Sequence, residues 1–446
     1  MQLAEHPTVK QLQTRETAGK ERSDTKQLEV GALGDLCKQL GADDVGFVEI
    51  DRLEIADQKD DILSYFPHTR TLISFVVRMN REPIRSSARS IANLEFHHAG
   101  DEVNEIARRI VRELEGQGIR AVNPSMGFPM EMDNFPGKLW VVSHKPVAAA
   151  AGLGKIGIHR NQIHPRFGNF VLLGTVLVDA AVSEPSLPID YNPCLECKLC
   201  VAACPVGAIS PDGTFDFSAC YTHNYREFMG GFTDWVEQVV ESKDASDYRQ
   251  RVSDPESASM WQSLSFGANY KAAYCLAVCP AGEDVIAPFI DDRKGFVDDI
   301  VRPLQQKEEQ LYVVAGSDAE AHATRRFPHK ELRRVGGSLR PRSIRGFVEG
   351  MPHVFQKNRS KDLDATYHFT FTGSEERKVT VVIRNKTLRV EDGHVGESDL
   401  KLRADARTWL GFLAKERNLG WAVLTGRIRF WGSPRFLLAF GKCFPS

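Results

Sequence analysis

The stretch Pro193-Cys194-Leu195-Glu196-Cys197-Lys198-Leu199-Cys200-Val201-Ala202-Ala203-Cys204-Pro205 reads C-x2-C-x2-C-x3-C-P. That spacing brings three thiolates from one loop onto three irons of a cubane and sends the fourth to a different cluster. Pro205 forces the chain out of the turn, which keeps the fourth thiolate separate. A second run, Cys275-Leu276-Ala277-Val278-Cys279-Pro280, repeats the end of the pattern. Cross-ligation then predicts one cluster on Cys194, Cys197, Cys200 and Cys279. The other takes Cys204, Cys275 and a further cysteine, for which Cys220 is the nearby candidate. Zinc would use two C-x2-C pairs or added histidines; seven cysteines with two C-P endings fit iron–sulfur chemistry instead.

A complete second motif would carry a cysteine where the chain has Ala272. Three readings stay open. The second centre is a three-iron cluster, or a four-iron cluster with a non-cysteine ligand such as His223 or a water-derived oxygen, or a site whose loss nothing compensates. Imidazole ligation would raise its potential, and an iron with a labile position would bind substrate. Of the remaining cysteines, Cys37 shares an apolar helical stripe with Leu33, Leu36 and Leu40 and reads as a packing residue, as does Cys443.

Outward from the cysteines, the 446-residue chain has room for two to four domains. Apolar residues at 42% and charged residues at 26% exclude wholesale disorder. The net charge of −2 supplies no field for nucleic acid, and no nucleic-acid partner is expected. The first 27 residues are polar and lack the apolar core of a secretory signal, and Phe170–Val178, the longest apolar run, is half the length of a membrane span. A cytoplasmic protein without a membrane span follows, and clustered cysteines there are metal ligands rather than disulfides.

Residues 1–27 read as a flexible N-terminal tail. Residues 28–185 read as an α/β domain that holds cofactor or substrate. Its helices lie over Leu28–Leu40 and over the stripe Val103, Ile106, Ala107, Ile110, Val111 and Leu114, and its strands over 45–50, 71–77, 119–122, 139–143 and 170–178. The double-cluster domain covers 186–300, with a polar insertion between Asp244 and Gln262, and 301–349 is a charged connector. In 350–446 the period changes to alternation, as in Tyr367, Phe369 and Phe371 and then Val379, Val381 and Ile383, which predicts an antiparallel sheet with helices. The fold class is α+β and multidomain.

Gly152-Leu153-Gly154-Lys155-Ile156-Gly157 matches G-x-G-x-x-G, with Asp179 lying 22 residues beyond Gly157. Only 12 residues, broken by Pro165 and Gly168, separate Gly157 from the strand at Phe170, too few for a crossover helix. The glycines therefore predict a tight loop that brings backbone close to a bulky cofactor. Candidate proton donors for a reduction are His144, Lys155, His159, His164 and Tyr221, histidine being the side chain best poised near neutrality. Glu131 and Asp133 precede Pro136-Gly137 in a loop expected to border the same pocket, and His97-His98 are expected to face solvent or a hydrogen-bond partner.

The segment Lys145-Pro146-Val147-Ala148-Ala149-Ala150-Ala151-Gly152-Leu153-Gly154-Lys155-Ile156-Gly157, followed by Phe167-Gly168-Asn169 and the strand to Asp179, resembles the segment preceding the clusters in epoxyqueuosine reductases and reductive dehalogenases. Cys220, 16 residues after Cys204, has a spacing similar to the epoxyqueuosine reductases, where that cysteine completes the second cluster. The match covers roughly 30–290. It implies a ferredoxin-like domain with two [4Fe-4S] clusters that delivers electrons to a cobalamin held in a nitroreductase-like α/β domain. Where those reductases place a catalytic aspartate three residues before the proline, this chain has Ser143, and no dehalogenase Tyr plus Lys/Arg pair can be assigned.

The tail resembles the sterol carrier protein type 2 family, whose sheet and helices enclose an apolar tunnel for lipids. The resemblance rests on Asp364–Gly373, Asp399–Asp405 and Gly426-Arg427-Ile428-Arg429-Phe430-Trp431-Gly432. Together these imply an iron–sulfur oxidoreductase fed by an external donor of the ferredoxin or flavodoxin kind, passing electrons to a corrinoid or an organic substrate. The tail would take a hydrophobic small molecule or lipid. Two alternatives are a non-catalytic electron-transfer protein with a lipid-binding or docking tail, and a redox sensor that loses its three-cysteine cluster on oxidation.

Overall fold

The computed structural model describes residues 3–16, 27–337 and 339–445. Of the segment read as a flexible tail, Pro7–Glu16 form a helix, α1, and residues 1–2 and 17–26 lie outside the described residues.

The first domain is built on a four-stranded sheet of β1 (Asp44–Glu49), β2 (Thr71–Arg78), β3 (Ala121–Val122) and β4 (Val171–Val178), ordered β1-β2-β4-β3. Every pairing in it is antiparallel. The two central strands are buried on both faces because two apolar layers cover them. Helix α2 (Val30–Gln39) and the long helix α3 (Arg89–Gly116) pack Leu33, Val103, Ile106 and Ile110 against Ile73, Phe75 and Val176. On the other face α4 (His144–Ala150) packs Val147 and Ala148 against Leu72, Val76 and Leu177. Burying β4 in this way removes apolar surface at about 25 cal/mol per Å2, and the continuous run from Val171 to Val178 is the sequence signature of that double burial. Cys37 lies in the first of these cores.

The strand expected over 139–143 does not form. Its backbone is bonded elsewhere: Ser143 N–H donates to Gln58 Oε1 at 2.9 Å, and Glu131 N–H donates to the Leu139 carbonyl at 2.8 Å. A side chain and a loop thus take the bonds that a strand neighbour would have made.

The cysteine-bearing domain is helical. Its elements are α5 (Leu199–Ala203), α6 (Phe217–Asn224), α7 (Gly230–Glu241), α8 (Ala245–Arg251), α9 (Asp254–Phe266) and α10 (Tyr274–Ala277). The polar insertion is α8 and α9, and it is tied inward by buried charge. The guanidinium of Arg226 donates to Asp234 Oδ2 at 2.7 Å and to Glu256 Oε1 at 3.2 Å, while Glu227 pairs with Lys271 and accepts from Ser259 and Ser263.

The connector is more than a charged linker. It contains a parallel pair, β5 (Gln310–Val314) and β6 (Glu331–Val335), joined by α11 (Asp318–Arg326). It leads into α12 (Ile344–Val354), which opens the last domain.

That domain holds five strands: β7 (Ala365–Thr372), β8 (Arg377–Arg384), β9 (Thr387–Asp392), β10 (Leu400–Asp405) and β11 (Ile428–Gly432), ordered β9-β8-β7-β10-β11. The sheet is mixed rather than antiparallel, because β7 and β10 pair in parallel. The alternating side chains Tyr367, Phe369 and Phe371 face Trp409 of α13 (Ala406–Leu413) and Phe440 of α15 (Pro434–Cys443), α14 (Leu419–Leu424) lying between those two helices in sequence. Cys443 is buried in this aromatic core. Three domains of unlike architecture make the chain an α+β multidomain protein.

Candidate metal centre and cavity

The local backbone around the cysteines is strained where the motif demands it. Glu196 and Lys198 adopt positive φ (50° and 63°) between Cys194 and Cys200, and Ala273 does so (53°) just before Cys275. Left-handed backbone costs non-glycine residues about 1–2 kcal/mol each and persists where a site requires it.

The thiols fall into two groups by which of them feel one another's charge. Cys279 is within electrostatic reach of Cys197, Cys200 and Cys194. Cys220 and Cys275 are in reach of each other and both of Cys204. Cys200 borders both groups, since Cys275 acts on it along with Cys197 and Cys194. Burial pushes up the thiols of Cys197, Cys204, Cys220 and Cys279, and those of Cys200 to about 12 and Cys275 to about 11. Binding iron therefore displaces protons from neutral thiols. Two sulfurs already accept hydrogen bonds, Cys204 Sγ from Ala208 N–H at 3.3 Å and Cys275 Sγ from Asn161 Nδ2 at 3.7 Å. Among the described residues no three His, Cys, Asp or Glu side chains close around the position of a single metal ion. A cubane spreads its ligands around several irons, and a donor set of seven thiols in two groups suits that group by its chemistry.

A cavity of about 1810 Å3 opens between the first domain, the cysteine domain and α12. Cys204, Cys220, Cys275 and Ala272 line it; Cys194, Cys197, Cys200 and Cys279 do not. The volume exceeds the roughly 300–1,000 Å3 usual for small-ligand sites. Its far wall comes from the last domain, through Arg345, Glu349 and His353 of α12. The opposite face of that helix buries Ile344, Val348 and Met351 in the aromatic core.

The sequence candidates separate on this map. His144, His159 and Tyr221 line the cavity, whereas His164 and Lys155 do not. His144 has both nitrogens engaged, Nδ1 with Thr175 Oγ1 at 2.8 Å and Nε2 with the Ser125 carbonyl at 3.0 Å. His164 pairs with Asp44 at 3.1 Å and accepts from the backbone of Arg166 and Phe167. His159 Nδ1 accepts from Asn161 N–H, and burial together with the Lys145 charge holds it down to about 4, so it is a neutral imidazole. The Tyr221 hydroxyl accepts from Gly230 N–H at 3.0 Å and keeps its own proton free. Burial raises that phenol to about 12. Asp133 borders the cavity and Glu131 does not; His97 borders it and bonds the Ala268 carbonyl at 2.8 Å.

The three glycines meet protein rather than open space. A Cβ on Gly152 would lie 2.5 Å from the Leu187 carbonyl oxygen, one on Gly154 would overlap the Ile163 carbonyl, and one on Gly157 would lie 2.6 Å from Ile163 Cδ1. Gly152 and Gly154 also have positive φ, and none of the three lines the cavity. In this structure the loop is tight because the chain folds on itself. The antiparallel sheet likewise lacks the parallel crossover a dinucleotide fingerprint needs.

Sequence reasoning missed three groups at the cavity. Lys145 lines the cavity with its ammonium donating to the Arg160 carbonyl at 2.7 Å and in reach of Cys275 and Cys220. Tyr225 sits among Tyr221, Phe228 and Tyr270. The residues of α12 come from a segment more than a hundred positions away from the cysteine loop. For Lys145 the only signal was its place beside Pro146 in the quoted segment.

Comparison with known proteins agrees with this layout. The 4Fe-4S binding domain family matches residues 187–210, and the SCP-2 sterol transfer family matches residues 353–445. Epoxyqueuosine reductase of Vibrio cholerae serotype O1 is 29% identical over 141 residues, covering 31% of this chain and 36% of that one. Epoxyqueuosine reductase of Escherichia coli strain K12 is 29% identical over 183 residues, 39% of this chain and 45% of that one. The chain spans between about a third and a half of the length of these curated relatives. A solved epoxyqueuosine reductase from Streptococcus thermophilus aligns with a TM-score of 0.35 at 16% identity, over 60% of this chain and 74% of that one. No helix among the described residues is long and apolar enough to cross a membrane.

Proposed function

We propose that this chain is an iron–sulfur reductase in which electrons from an external one-electron donor pass through the Cys194, Cys197, Cys200 and Cys279 group to the Cys204, Cys220 and Cys275 group, and from there to an acceptor in the cavity. The observation that carries the reading is the asymmetry of the two groups: only the second faces the cavity. A ferredoxin- or flavodoxin-like protein is the donor class this calls for.

The acceptor is a corrinoid, an organic substrate, or both. The cavity volume suits a large cofactor, and a corrinoid would supply a metal that cycles between oxidation states during reduction. The walls suit an apolar partner, with Phe128, Phe135, Trp140, Phe217, Tyr225 and Phe228 among them. The last domain contributes by walling the cavity through α12, and a hydrophobic small molecule is the ligand class that both the aromatic walls and the sterol-carrier match favour.

Reduction takes up protons as well as electrons. Tyr221 is the donor we assign, because its oxygen is held by Gly230 N–H while its hydrogen stays available. His159 is oriented by Asn161, whose N–H donates to Nδ1 at 3.1 Å, and by the Asn169 amide against Nε2 at 3.3 Å. His144 positions the wall by joining the loop at Ser125 to β4 at Thr175.

The test is anaerobic purification with iron, sulfide and corrinoid quantitation and EPR of the reduced protein. Two spin systems from seven cysteine ligands are expected. Stoichiometric zinc without iron would overturn the reading, and two clusters without any corrinoid or substrate affinity would leave an electron-transfer protein.

A further inference from the structure

The gap at residue 272 lies in a well-defined place. Ala272 N–H donates to Asn224 Oδ1 at 3.0 Å and Lys271 N–H donates to the Asn224 carbonyl at 3.2 Å. Those bonds fasten residues 271–272 to the end of α6, one turn beyond Cys220. Ala273, with its positive φ, then turns the chain into α10 and Cys275. The Ala272 methyl is buried in the apolar cluster that contains Cys204, with Cys220 and Cys275 packed against it, and it lines the cavity. The backbone of a fourth cysteine is in place, and its sulfur is what is missing.

Neither His223 nor Lys145 takes over the role. His223 shares the cavity with the three cysteines and lies one helical turn from Cys220. Its Nδ1, however, accepts from Tyr312 N–H at 3.3 Å. In a neutral imidazole that places the proton on Nε2, which is buried without a partner. A ligating histidine shows the opposite arrangement, donating from the nitrogen that does not bind metal. His223 therefore holds a buried Nε2–H donor and has no lone pair on that nitrogen to offer an iron. Lys145 is occupied as an ammonium on the Arg160 carbonyl.

We propose that the second cluster is held by Cys204, Cys220 and Cys275 alone, that its fourth iron is open to the cavity beside Ala272, and that this iron binds a small oxygen-, nitrogen- or cyanide-type donor directly, with His223 Nε2–H as a hydrogen-bond donor to the cluster or its ligand. The proposal rests on the iron–sulfur reading and deepens it, because it gives the site a Lewis acid in addition to an electron relay.

The test compares wild type, Ala272→Cys, His223→Ala and Tyr225→Phe as full chains prepared anaerobically. Iron and sulfide content is measured first; protein without iron refutes the iron–sulfur reading itself, and the remaining arms apply only to loaded protein. Ferricyanide, a one-electron outer-sphere oxidant, should convert the open cluster by the balanced step [4Fe-4S]2+ to [3Fe-4S]+ plus Fe2+, the electron going to ferricyanide. Wild type, His223→Ala and Tyr225→Phe should all develop the near-isotropic EPR signal of an oxidised three-iron cluster, and Ala272→Cys should lose most of it. Potassium cyanide added to reduced wild type should shift one of the two EPR signals and leave Ala272→Cys unshifted. Loaded wild type that resists both reagents overturns the proposal. So does a cyanide response that appears only in His223→Ala or only in Tyr225→Phe, since that variant would then have removed the true fourth ligand.

Discussion

Gly168 of the first domain and Gly282 of the cysteine domain meet backbone to backbone. A Cβ on Gly282 would overlap Gly168 N and Cα, and one on Gly168 would overlap the Ala281 carbonyl. Both have positive φ, 65° and 113°. On either side of the contact, Glu283 N–H donates to the Pro165 carbonyl and Asp284 N–H to the Arg166 carbonyl, each at 3.0 Å. This short ladder fastens the chain just after Cys279-Pro280 to the first domain. Gly282→Ala should therefore cost of order 1–3 kcal/mol for the backbone conformation alone, with steric overlap adding to it. Thermal unfolding of the anaerobic protein, with iron counted per chain, checks this. An unchanged midpoint and full iron content would contradict it.

Arg226 is among the largest fully buried side chains, lying over the Tyr312 ring at 4.9 Å and between two carboxylates. Arg226→Met would leave Asp234 and Glu256 buried without their shared cation, although Arg333 still pairs with Glu256. Breaking a buried pair costs roughly 3–5 kcal/mol. Denaturant unfolding should register a loss of that order, and Glu256→Gln, which keeps the shape, should lose less.

His159 supplies a pH dependence. Its folded value lies near 4 and its unfolded value near 6.5, because burial disfavours the cation. Below about 6.5 the unfolded chain takes up a proton that the folded chain refuses, so stability falls as pH drops from 6.5 towards 4 and is insensitive to this group above 6.5. The span is on the order of 3 kcal/mol. His159→Gln should flatten the stability curve across that window; an equally steep acid limb in the variant would assign the effect to other groups.

Phe347 fixes α12 to the last domain by edge contacts with Phe369, Phe371 and Trp409. Phe347→Ala should cost on the order of 3 kcal/mol and loosen the wall that α12 makes for the cavity. The expected readout is faster chelation of iron from the cavity-facing group, with the other group unaffected. Equal chelation rates in variant and wild type would mean that α12 does not restrict access.

Much of the architecture was legible because its causes are local. The C-x2-C-x2-C-x3-C-P spacing acts within a dozen residues, the run of β4, apolar but for Gly174 and Thr175, declares a strand covered on both faces, and the alternation of Tyr367, Phe369 and Phe371 declares one face of a sheet. The strand assigned to 139–143 failed because Gln58, 85 residues away, and Glu131 of the adjoining loop take its hydrogen bonds. The parallel pairing of β7 with β10 was invisible for the same reason, since side-chain alternation is the same in either orientation.

For the site, the sequence by itself determined the thiol inventory, the C-P endings and the missing cysteine at residue 272. Only the tertiary structure decided that Cys204, Cys220 and Cys275 face a cavity while the other four thiols do not, that Tyr312 turns His223 into a donor, that the glycines of 152–157 press on Ile163 and Leu187, and that α12 closes the far wall. The physical reason is range. Ligand spacing and strand patterning are set by bonds and dihedrals between near neighbours, whereas a tautomer, a buried ion pair or a cavity wall depends on which distant segments the folded core brings into contact.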